Sequence, residues 1–207
     1  MGSYLQRMHP QVIFFDLGGV VSRFHPQRRL SALGEACGVS VELVERTLYA
    51  SGRIAQWDAG HGSATDIHRT LQEELGYTGG ITTLKEIWCR AFEPDQEVLD
   101  LVDGLRSRRT ALLTDNDHLL LDALPDELPQ VAARFDDLLF SCRLGAVKPD
   151  PTVFVRALDI AGVTPGEAVF IDDKAENVAA ARELGINGIR FSGAVALGVE
   201  LDSLLAH

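Results

Sequence analysis

The sequence has few cysteines, an excess of acidic over basic residues and no long apolar run. Cys37, Cys89 and Cys142 lie far apart with no C-x-x-C spacing, which favours reduced packing residues over a disulfide or a zinc site. No apolar run approaches the ~20 residues that a membrane helix needs. The first residues, Met1 to Met8, lack the apolar stretch of a signal peptide. These absences predict a cytoplasmic protein without a membrane span.

The charge balance is acidic, with 30 Asp and Glu against 19 Lys and Arg and a net charge of -11. This balance argues against nucleic acid or an anionic membrane surface as the main partner. It does not exclude a phosphorylated small molecule, because a metal ion and one lysine can reverse the sign locally. The length of 207 residues fits one domain with an insertion, or two small domains. We expect a monomer or a weak homodimer.

Five short apolar runs predict the strands of one sheet. Branched and aromatic residues dominate the first run, Val12–Phe15, which reads as a strand buried on both faces. The later runs are residues 111–114, 138–141, 168–171 and, more weakly, 188–191. Stretches with helical periodicity separate the last four. This alternation predicts an α/β fold, a three-layer Rossmann-like core with a mostly parallel sheet.

Residues 22–90 have a different pattern, with amphipathic helices and no strand-like run. A capping-box-like start at residues 63–66 precedes one such helix. We therefore predict a helical cap at residues 22–90, inserted after the first strand of a core formed by residues 10–21 and 91–207. Its large aromatic residues are predicted to form the core of the cap rather than to stack on substrate: Tyr49, Trp57 and Trp88.

Polar residues stand where the predicted strands end. Asp16 follows the first, Thr114 ends the second and the pair Asp172-Asp173 follows the fourth, while Lys148 precedes the helix after the third. Parallel strands present these ends at one edge of the sheet, where ligands bind. Carboxylates can hold Mg²⁺, and a lysine and a hydroxyl can hold a phosphate. An aspartate there can attack phosphorus and form an acyl phosphate.

Each of these residues has an ordinary interpretation when taken alone. An aspartate after a strand is most often a turn or cap residue, a threonine is often an N-cap, and a lysine is usually solvated. The combination at matching strand ends favours the functional interpretation.

The motifs resemble those of the haloacid dehalogenase superfamily. They are V-I-F-F-D-L-G-G-V-V at residues 12–21, L-T at residues 113–114, G-x-x-K-P-D-P at residues 145–151 and F-I-D-D-x-x-x-N at residues 170–177. The resemblance spans nearly the whole chain. Within the superfamily it looks nearest to the sugar-phosphate phosphatases that include alpha-D-glucose-1-phosphate phosphatase, which carry a similar first motif and a small helical cap.

The resemblance implies a Mg²⁺-dependent phosphatase acting on a small phosphomonoester. Asp16 would be the catalytic nucleophile, assisted by Lys148. Phosphate binding would fall to Thr114, Asp115 and Lys148. The implied metal site consists of Asp16, the Gly18 backbone carbonyl, Asp172 and Asp173, with Asp173 favoured as the direct ligand of the pair and Asn177 as its support.

Two positions depart from the family pattern. Most phosphatases of the superfamily carry an acid/base aspartate at the position of Gly18, and glycine offers no proton. His25, His118 and Asp117 are candidate replacements. Asp115 stands where the related branch usually has asparagine, so it would repel phosphate unless it points towards the cap or is protonated. A protonated Asp115 could itself be the missing acid.

The departures leave open a second hypothesis, a catalytically weak phosphate-binding or regulatory protein of the same fold. Carbon–halogen hydrolysis is disfavoured because the full metal-ligand set is present and dehalogenases of the superfamily carry an aromatic residue where Gly18 stands. A phosphomutase is disfavoured because it normally needs the acid/base aspartate.

Overall fold

The computed structural model describes residues 10–205, so the interpretation of residues 1–8 lies outside the described part. The strands are β1 (Val12–Phe15), β2 (Ser22–Phe24), β3 (Phe92–Pro94), β4 (Arg109–Thr114), β5 (Asp137–Phe140), β6 (Ala168–Asp172) and β7 (Asn187–Arg190).

The α-helices are α1 (Pro26–Cys37), α2 (Val41–Glu45), α3 (Arg53–Asp58), α4 (Ala64–Leu75), α5 (Ile81–Cys89), α6 (Gln96–Gly104), α7 (His118–Glu127), α8 (Pro129–Ala132), α9 (Ser141–Leu144), α10 (Pro151–Ala161), α11 (Ala175–Glu183) and α12 (Ala194–Leu205). A π-helical turn, Arg46–Ala50, separates α2 from α3, and a 3₁₀ turn, Pro165–Glu167, precedes β6. Within residues 10–205, no helix is both long and apolar enough to span a bilayer.

Five strands form a parallel sheet in the order β5-β4-β1-β6-β7. This confirms the predicted α/β, Rossmann-like core, and each predicted strand lies within two residues of an observed one. The chain runs outward from β1 to β4 and β5, then returns to the other side of β1 for β6 and β7. The order therefore reverses at β1, and the carboxyl end of β1 is the place where a ligand crevice is expected.

Both faces of the sheet are buried because successive side chains of β1 point to opposite sides. Ile13 and Phe15 belong to one hydrophobic cluster, whereas Val12 and Phe14 belong to another with α10. The first cluster continues from the sheet into the helices of residues 22–90, which we call the helical insert. Helices α4 and α5 of the insert pack against α7. The insert and one face of the sheet thus share a single apolar core.

The prediction that residues 22–90 contain no strand was wrong at one point. Strand β2 pairs antiparallel with β3 and forms a two-stranded ribbon at the base of the insert. The Phe24 and Phe92 rings lie across the ribbon with centroids 5.2 Å apart. Three-residue strands are too short to show an alternating sequence pattern. Each strand of the ribbon is stabilised by pairing with a strand almost seventy positions away in the chain.

The helix boundaries follow local sequence signals. Ser63 and Asp66 form the expected capping box at the start of α4, and Gly76 ends that helix in the left-handed conformation. Gly162 ends α10 in the same way. Trp57 and Trp88 are buried with ring centroids 6.3 Å apart, as predicted for core residues of the insert.

Candidate active site

Lys148 lies at the centre of the predicted site. Its buried ammonium group is 2.9 Å from Asp16 Oδ1 and donates to Asp172 Oδ2 at 2.9 Å. It also donates to the Leu113 carbonyl oxygen at 2.9 Å. An ammonium has three protons, so all of them are directed at protein oxygens. Through these contacts Lys148 neutralises the carboxylates of Asp16 and Asp172 and fixes the position of the Asp16 side chain.

Asp172 and Asp173 have different surroundings although they are neighbours in the chain. Asp172 is fully buried and accepts hydrogen bonds from Lys148, from Asn177 Nδ2 at 3.0 Å and from the backbone N–H of Lys174 at 2.8 Å. Asp173 Oδ1 is buried and has no hydrogen-bond partner among the described residues. Asp173 therefore has the carboxylate oxygen that is free to bind a ligand.

The carboxylates of Asp16, Asp172 and Asp173 each offer one oxygen atom within 4.8 Å of the others. Such a set of hard oxygen donors suits Mg²⁺, which prefers carboxylates and keeps several waters. The unpartnered Asp173 oxygen agrees with this assignment. The residues present thus fit a magnesium site.

The loop after β1 brings its backbone close to this cluster. Gly19 has φ +88°, and a Cβ atom there would lie 2.6 Å from Asp173 Oδ2, so a side chain would displace the Asp173 carboxylate. At Gly18 an added Cβ would meet only ordinary contacts, 3.6 Å from Phe24 Cβ and 3.7 Å from Phe92 Cε1. Gly18 therefore tolerates a Cβ atom, whereas any substitution at Gly19 is strained by its backbone conformation.

Thr114 and Asp115 occupy the end of β4. The buried Thr114 hydroxyl accepts a hydrogen bond from Asn116 Nδ2 at 2.8 Å. Asp115 Oδ1 accepts from the Lys148 backbone N–H at 3.0 Å, which holds the loop containing Lys148 beside β4. This hydrogen bond uses Asp115 Oδ1 only. The carboxyl group can therefore face the insert and carry a proton at the same time.

The site perturbs the acidity of its carboxyl groups. Burial raises the pKa of Asp16 above its ordinary value, against the opposing effect of Lys148. Burial also raises the pKa of Asp173, with the nearby Asp172 adding to the effect. For Asp115, burial raises the pKa to about 6, although the Lys148 charge lowers it. Burial lowers the pKa of Lys148, but Asp16 and the other carboxylates outweigh it, so the net pKa is raised.

Two adjoining cavities open at this edge of the sheet. The first, the nucleophile cavity, has a volume of about 340 Å³ and is lined by Asp16, Gly18, Thr114, Asp115 and Asp173, among others. The second, the insert cavity, has a volume of about 330 Å³ and lies between the helical insert and the core. Its lining includes Arg29, Tyr49, Asp58, Asp115, Lys148 and Lys174. Asp115 and Lys174 line both cavities, so the two cavities adjoin at these residues.

The three candidate replacements for the missing acid are placed elsewhere. Asp117 is buried, accepts a hydrogen bond from Trp88 Nε1 at 2.9 Å and caps α7 through the Leu120 N–H. His25 precedes α1 and lies 3.5 Å from Glu93. His118 is the first residue of α7. None of these three lines the nucleophile cavity.

Sequence reasoning missed four polar residues of the cavities. Asn116 and Lys174 directly follow motif residues, so their proximity could have been inferred from position alone. Arg29 and Asp58 come from helices of the insert, where nothing in the sequence pattern separates them from solvated residues. Only the folded arrangement brings them to the site.

Asp58 should make stability depend on pH. Burial, followed by the charge of Asp117, raises its pKa from 3.8 to about 8. Between these values the folded state retains a proton that the unfolded state has released, so stability falls as pH rises. We expect Asp58→Asn to gain roughly 3–4 kcal/mol relative to wild type on going from pH 5 to pH 9. Urea denaturation at both pH values measures this, and a constant difference would contradict it.

A comparison with protein families agrees with the geometry. The model of the haloacid dehalogenase-like hydrolases matches residues 10–185, which is most of the chain. The chain belongs to the haloacid dehalogenase-like hydrolases. The matched range of this family contains all seven predicted site residues.

Relatives with described functions cover the chain to different extents. D-ribitol-5-phosphate phosphatase of Bacteroides thetaiotaomicron is 26% identical over 84% of this chain and 87% of its own length. Acyl-CoA dehydrogenase family member 10 of Mus musculus is 37% identical over 47% of this chain, but the match spans only 9% of that protein.

Among solved structures, a haloacid dehalogenase family enzyme from Bacteroides thetaiotaomicron, in complex with magnesium and inorganic phosphate, has a similar fold. Its TM-score is 0.74 at 22% identity, covering 88% of this chain and 94% of that protein. At this identity the likeness concerns the fold.

Proposed function

We propose that this hydrolase is a Mg²⁺-dependent phosphatase acting on small, sugar phosphate-like phosphomonoesters through an aspartyl-phosphate at Asp16. The observation that carries the proposal is the position of Asp16 at the topological switch point, with Lys148 at 2.9 Å and the carboxylates of Asp172 and Asp173 within 4.8 Å. The phosphatase relative and the magnesium and phosphate complex of a similar fold support it.

In this proposal Asp16 Oδ attacks phosphorus while the bond from phosphorus to the leaving oxygen breaks. Lys148 keeps Asp16 oriented and balances the negative charge that gathers there. Thr114 lines the same cavity, and its hydroxyl is assigned to a phosphate oxygen in this proposal. Water then attacks the acyl phosphate and gives its proton to the group that protonated the leaving oxygen, so phosphate is released and the Asp16 carboxylate is regenerated.

The residues proposed to hold Mg²⁺ are Asp16, Asp173 and the Gly18 backbone carbonyl. When bound, the ion supplies positive charge to the phosphoryl oxygens and favours the ionised form of Asp16. Asp172 is proposed to support the site through hydrogen bonds rather than to bind the ion directly. Its oxygens already accept from Lys148, Asn177 and a backbone N–H. The helical insert, residues 22–90, serves as the cap that covers the substrate.

The leaving oxygen needs a proton, and Gly18 cannot donate one. Asp115 is the proposed donor because it lines the cavity with Asp16 and its pKa of about 6 leaves a fraction protonated near neutral pH. In its ionised form Asp115 holds the Lys148 loop through the backbone N–H.

Metal removal tests the proposed function. Purified protein should release phosphate from p-nitrophenyl phosphate with Mg²⁺ present, lose the activity in EDTA and regain it when Mg²⁺ is restored. Loss of more than 100-fold is expected, since metal charge stabilisation supplies several kcal/mol. Turnover that persists at full rate in EDTA would refute the metal assignment.

A catalytically weak phosphate-binding protein is the second candidate, favoured by the absence of an acid at Gly18. Silence against a broad panel of phosphate esters, with Mg²⁺ bound, would support this candidate instead.

Placing the missing acid at residue 18 should increase activity. We expect Gly18→Asp to raise kcat on a sugar phosphate by about 10²-fold, the lower end of what acid–base catalysis supplies. The rate on p-nitrophenyl phosphate should change little, because that leaving group departs without a proton. A Cβ atom at this position would make only ordinary contacts, so the substitution meets no clash at the start of the side chain.

Gly18→Asn is the matched control, with the same shape and no proton to give. Steady-state kinetics on both substrates separates the variants. An equal gain in the asparagine variant would contradict the acid–base explanation.

A further inference from the structure

The third strand end of the sheet also has a polar residue, and the proposed chemistry does not use it. Ser141 directly follows β5 and is fully buried. Its Oγ accepts a hydrogen bond from the Asn116 backbone N–H at 3.0 Å. The same Oγ lies 2.6 Å from the Asp58 carbonyl oxygen and 3.4 Å from the Asn116 carbonyl oxygen, so its single proton goes to the nearer acceptor, Asp58. Ser141 thus joins the loop after β4 to the last residue of α3.

The backbone of Asn116 is fixed against the turn after β5. Its N–H donates to Ser141 Oγ, and its carbonyl oxygen accepts from the Cys142 N–H at 3.4 Å. The insert packs closely on the other side of this turn. Gly60 has φ +93°, and a Cβ atom there would lie 2.5 Å from the Cys142 carbonyl oxygen. Because both of its backbone polar groups are bonded, Asn116 has a defined position from which its side chain can act.

The Asn116 side chain is directed at the hydroxyl that we assign to phosphate. Its Nδ2 donates to Thr114 Oγ1 at 2.8 Å, and both residues line the nucleophile cavity. A hydroxyl has one proton and two acceptor lone pairs, so accepting this bond leaves the Thr114 proton unused. The proton is therefore available to an acceptor in the cavity. An amide that accepted from Thr114 instead would take this proton away.

The direction of this proton matters because phosphate oxygens are hydrogen-bond acceptors. Three carboxyl groups line the nucleophile cavity, and its side-chain donors among the described residues are only Thr114, Asn116 and Lys174. The protons of Lys148 are directed at protein oxygens. A hydroxyl that donates to an anionic oxygen makes a stronger bond than one between neutral groups. Turning the Thr114 hydroxyl round would thus remove one of few donors from the phosphate.

We propose that Asn116 is a positioning residue for phosphate binding, which holds the Thr114 hydroxyl with its proton directed into the nucleophile cavity, and that Ser141 holds Asn116 in place. This inference rests on the proposed function, which assigns Thr114 to a phosphate oxygen. Asn116 and Ser141 act through Thr114 and take no part in the bond changes. A role in loop stability alone would not depend on the Thr114 hydroxyl, and this difference can be measured.

A double-mutant cycle with Thr114 separates the two roles. Titration calorimetry with Mg²⁺ gives the Kd of inorganic phosphate for wild type, Asn116→Ala, Thr114→Val and the double variant. We expect Asn116→Ala to raise the Kd about 5- to 10-fold when Thr114 is present, because one hydrogen bond to the phosphate is weakened. In the Thr114→Val chain the same change should raise the Kd less than about twofold, since the hydroxyl that Asn116 orients is gone.

Ser141→Ala should follow the same pattern with a smaller effect, about 3-fold with Thr114 present and less in the Thr114→Val chain. Asn187→Ala is the matched control and should leave the Kd unchanged in both chains. Asn187 also donates through its side-chain amide, to the Gly166 carbonyl oxygen at 3.0 Å, and it lines neither cavity.

Asn116→Asp tests the direction of the hydrogen bond without a change of shape. An ionised carboxylate only accepts, so it would draw the Thr114 proton away from the phosphate. Its charge weakens phosphate binding in both chains, and the excess in the chain with Thr114 measures the reversed bond. We expect this excess to be at least about 5-fold. Because the side chain keeps its size, this variant also serves if Asn116→Ala folds poorly in a thermal melt.

Equal effects of the Asn116 variants with and without the Thr114 hydroxyl would overturn the inference, and so would tighter phosphate binding by Asn116→Ala. Absence of phosphate binding by wild type would overturn both this inference and the proposed function. Failure of the proposed function alone is distinct, since p-nitrophenyl phosphate turnover would be missing while the cycle still gave non-additive Kd values.

Discussion

Asp16→Asn is expected to lower phosphate release on the order of 10⁵-fold, since removing a covalent nucleophile removes the reaction route itself. The side chain keeps its shape, and Lys148 retains its contact with Asp172. The neutral amide should therefore change Tm by only a few degrees, so the loss of activity is chemical rather than structural.

The measurement is phosphate release from p-nitrophenyl phosphate by wild type and variant, prepared in parallel and melted by differential scanning calorimetry. Asp100→Asn, the same change on the exposed face of α6, serves as the control and should retain full activity. Asp16→Asn protein that keeps more than a small fraction of wild-type activity would remove Asp16 from the role of nucleophile.

Lys148→Met should have the largest effect on stability and also reduce catalysis strongly. The ammonium group is buried between Asp16 and Asp172, with contacts of 2.9 Å to each. Removing the cation leaves two buried carboxylates without their partner, which costs about 3–5 kcal/mol. The same change removes the charge that orients Asp16, so kcat should fall about 10²–10³-fold.

Chemical denaturation in EDTA measures the stability change without a bound cation. Lys174→Met makes the same substitution at an exposed lysine and should change stability by less than about 0.5 kcal/mol. If the two variants were equally stable, Lys148 would not have the neutralising role that its contacts indicate.

The central part of the site could be predicted because strand ends are readable in the sequence. A buried parallel strand is an apolar run, and the polar residue that follows it must lie at the sheet edge. This rule alone placed Asp16, Thr114 and Asp172 together, and the structure has them at adjoining strand ends. The parallel direction of the strands also followed from the alternation of strands and helices, whereas their order in the sheet did not.

Other parts depend on contacts between distant segments. Ribbon strands β2 and β3 are too short for a pattern, and each is defined by the other. The positions of Arg29, Tyr49 and Asp58 depend on how the insert packs on the core, which helical periodicity does not specify. The pairing of the Lys148 N–H with Asp115 is a loop geometry that no spacing rule predicts.

The apolar core that runs from the insert into one face of the sheet has a thermodynamic consequence. A lid joined only by linkers can swing away freely, but here a wide outward rotation would bring buried leucines and tryptophans into water. We therefore expect the insert and the sheet to unfold together in one cooperative transition.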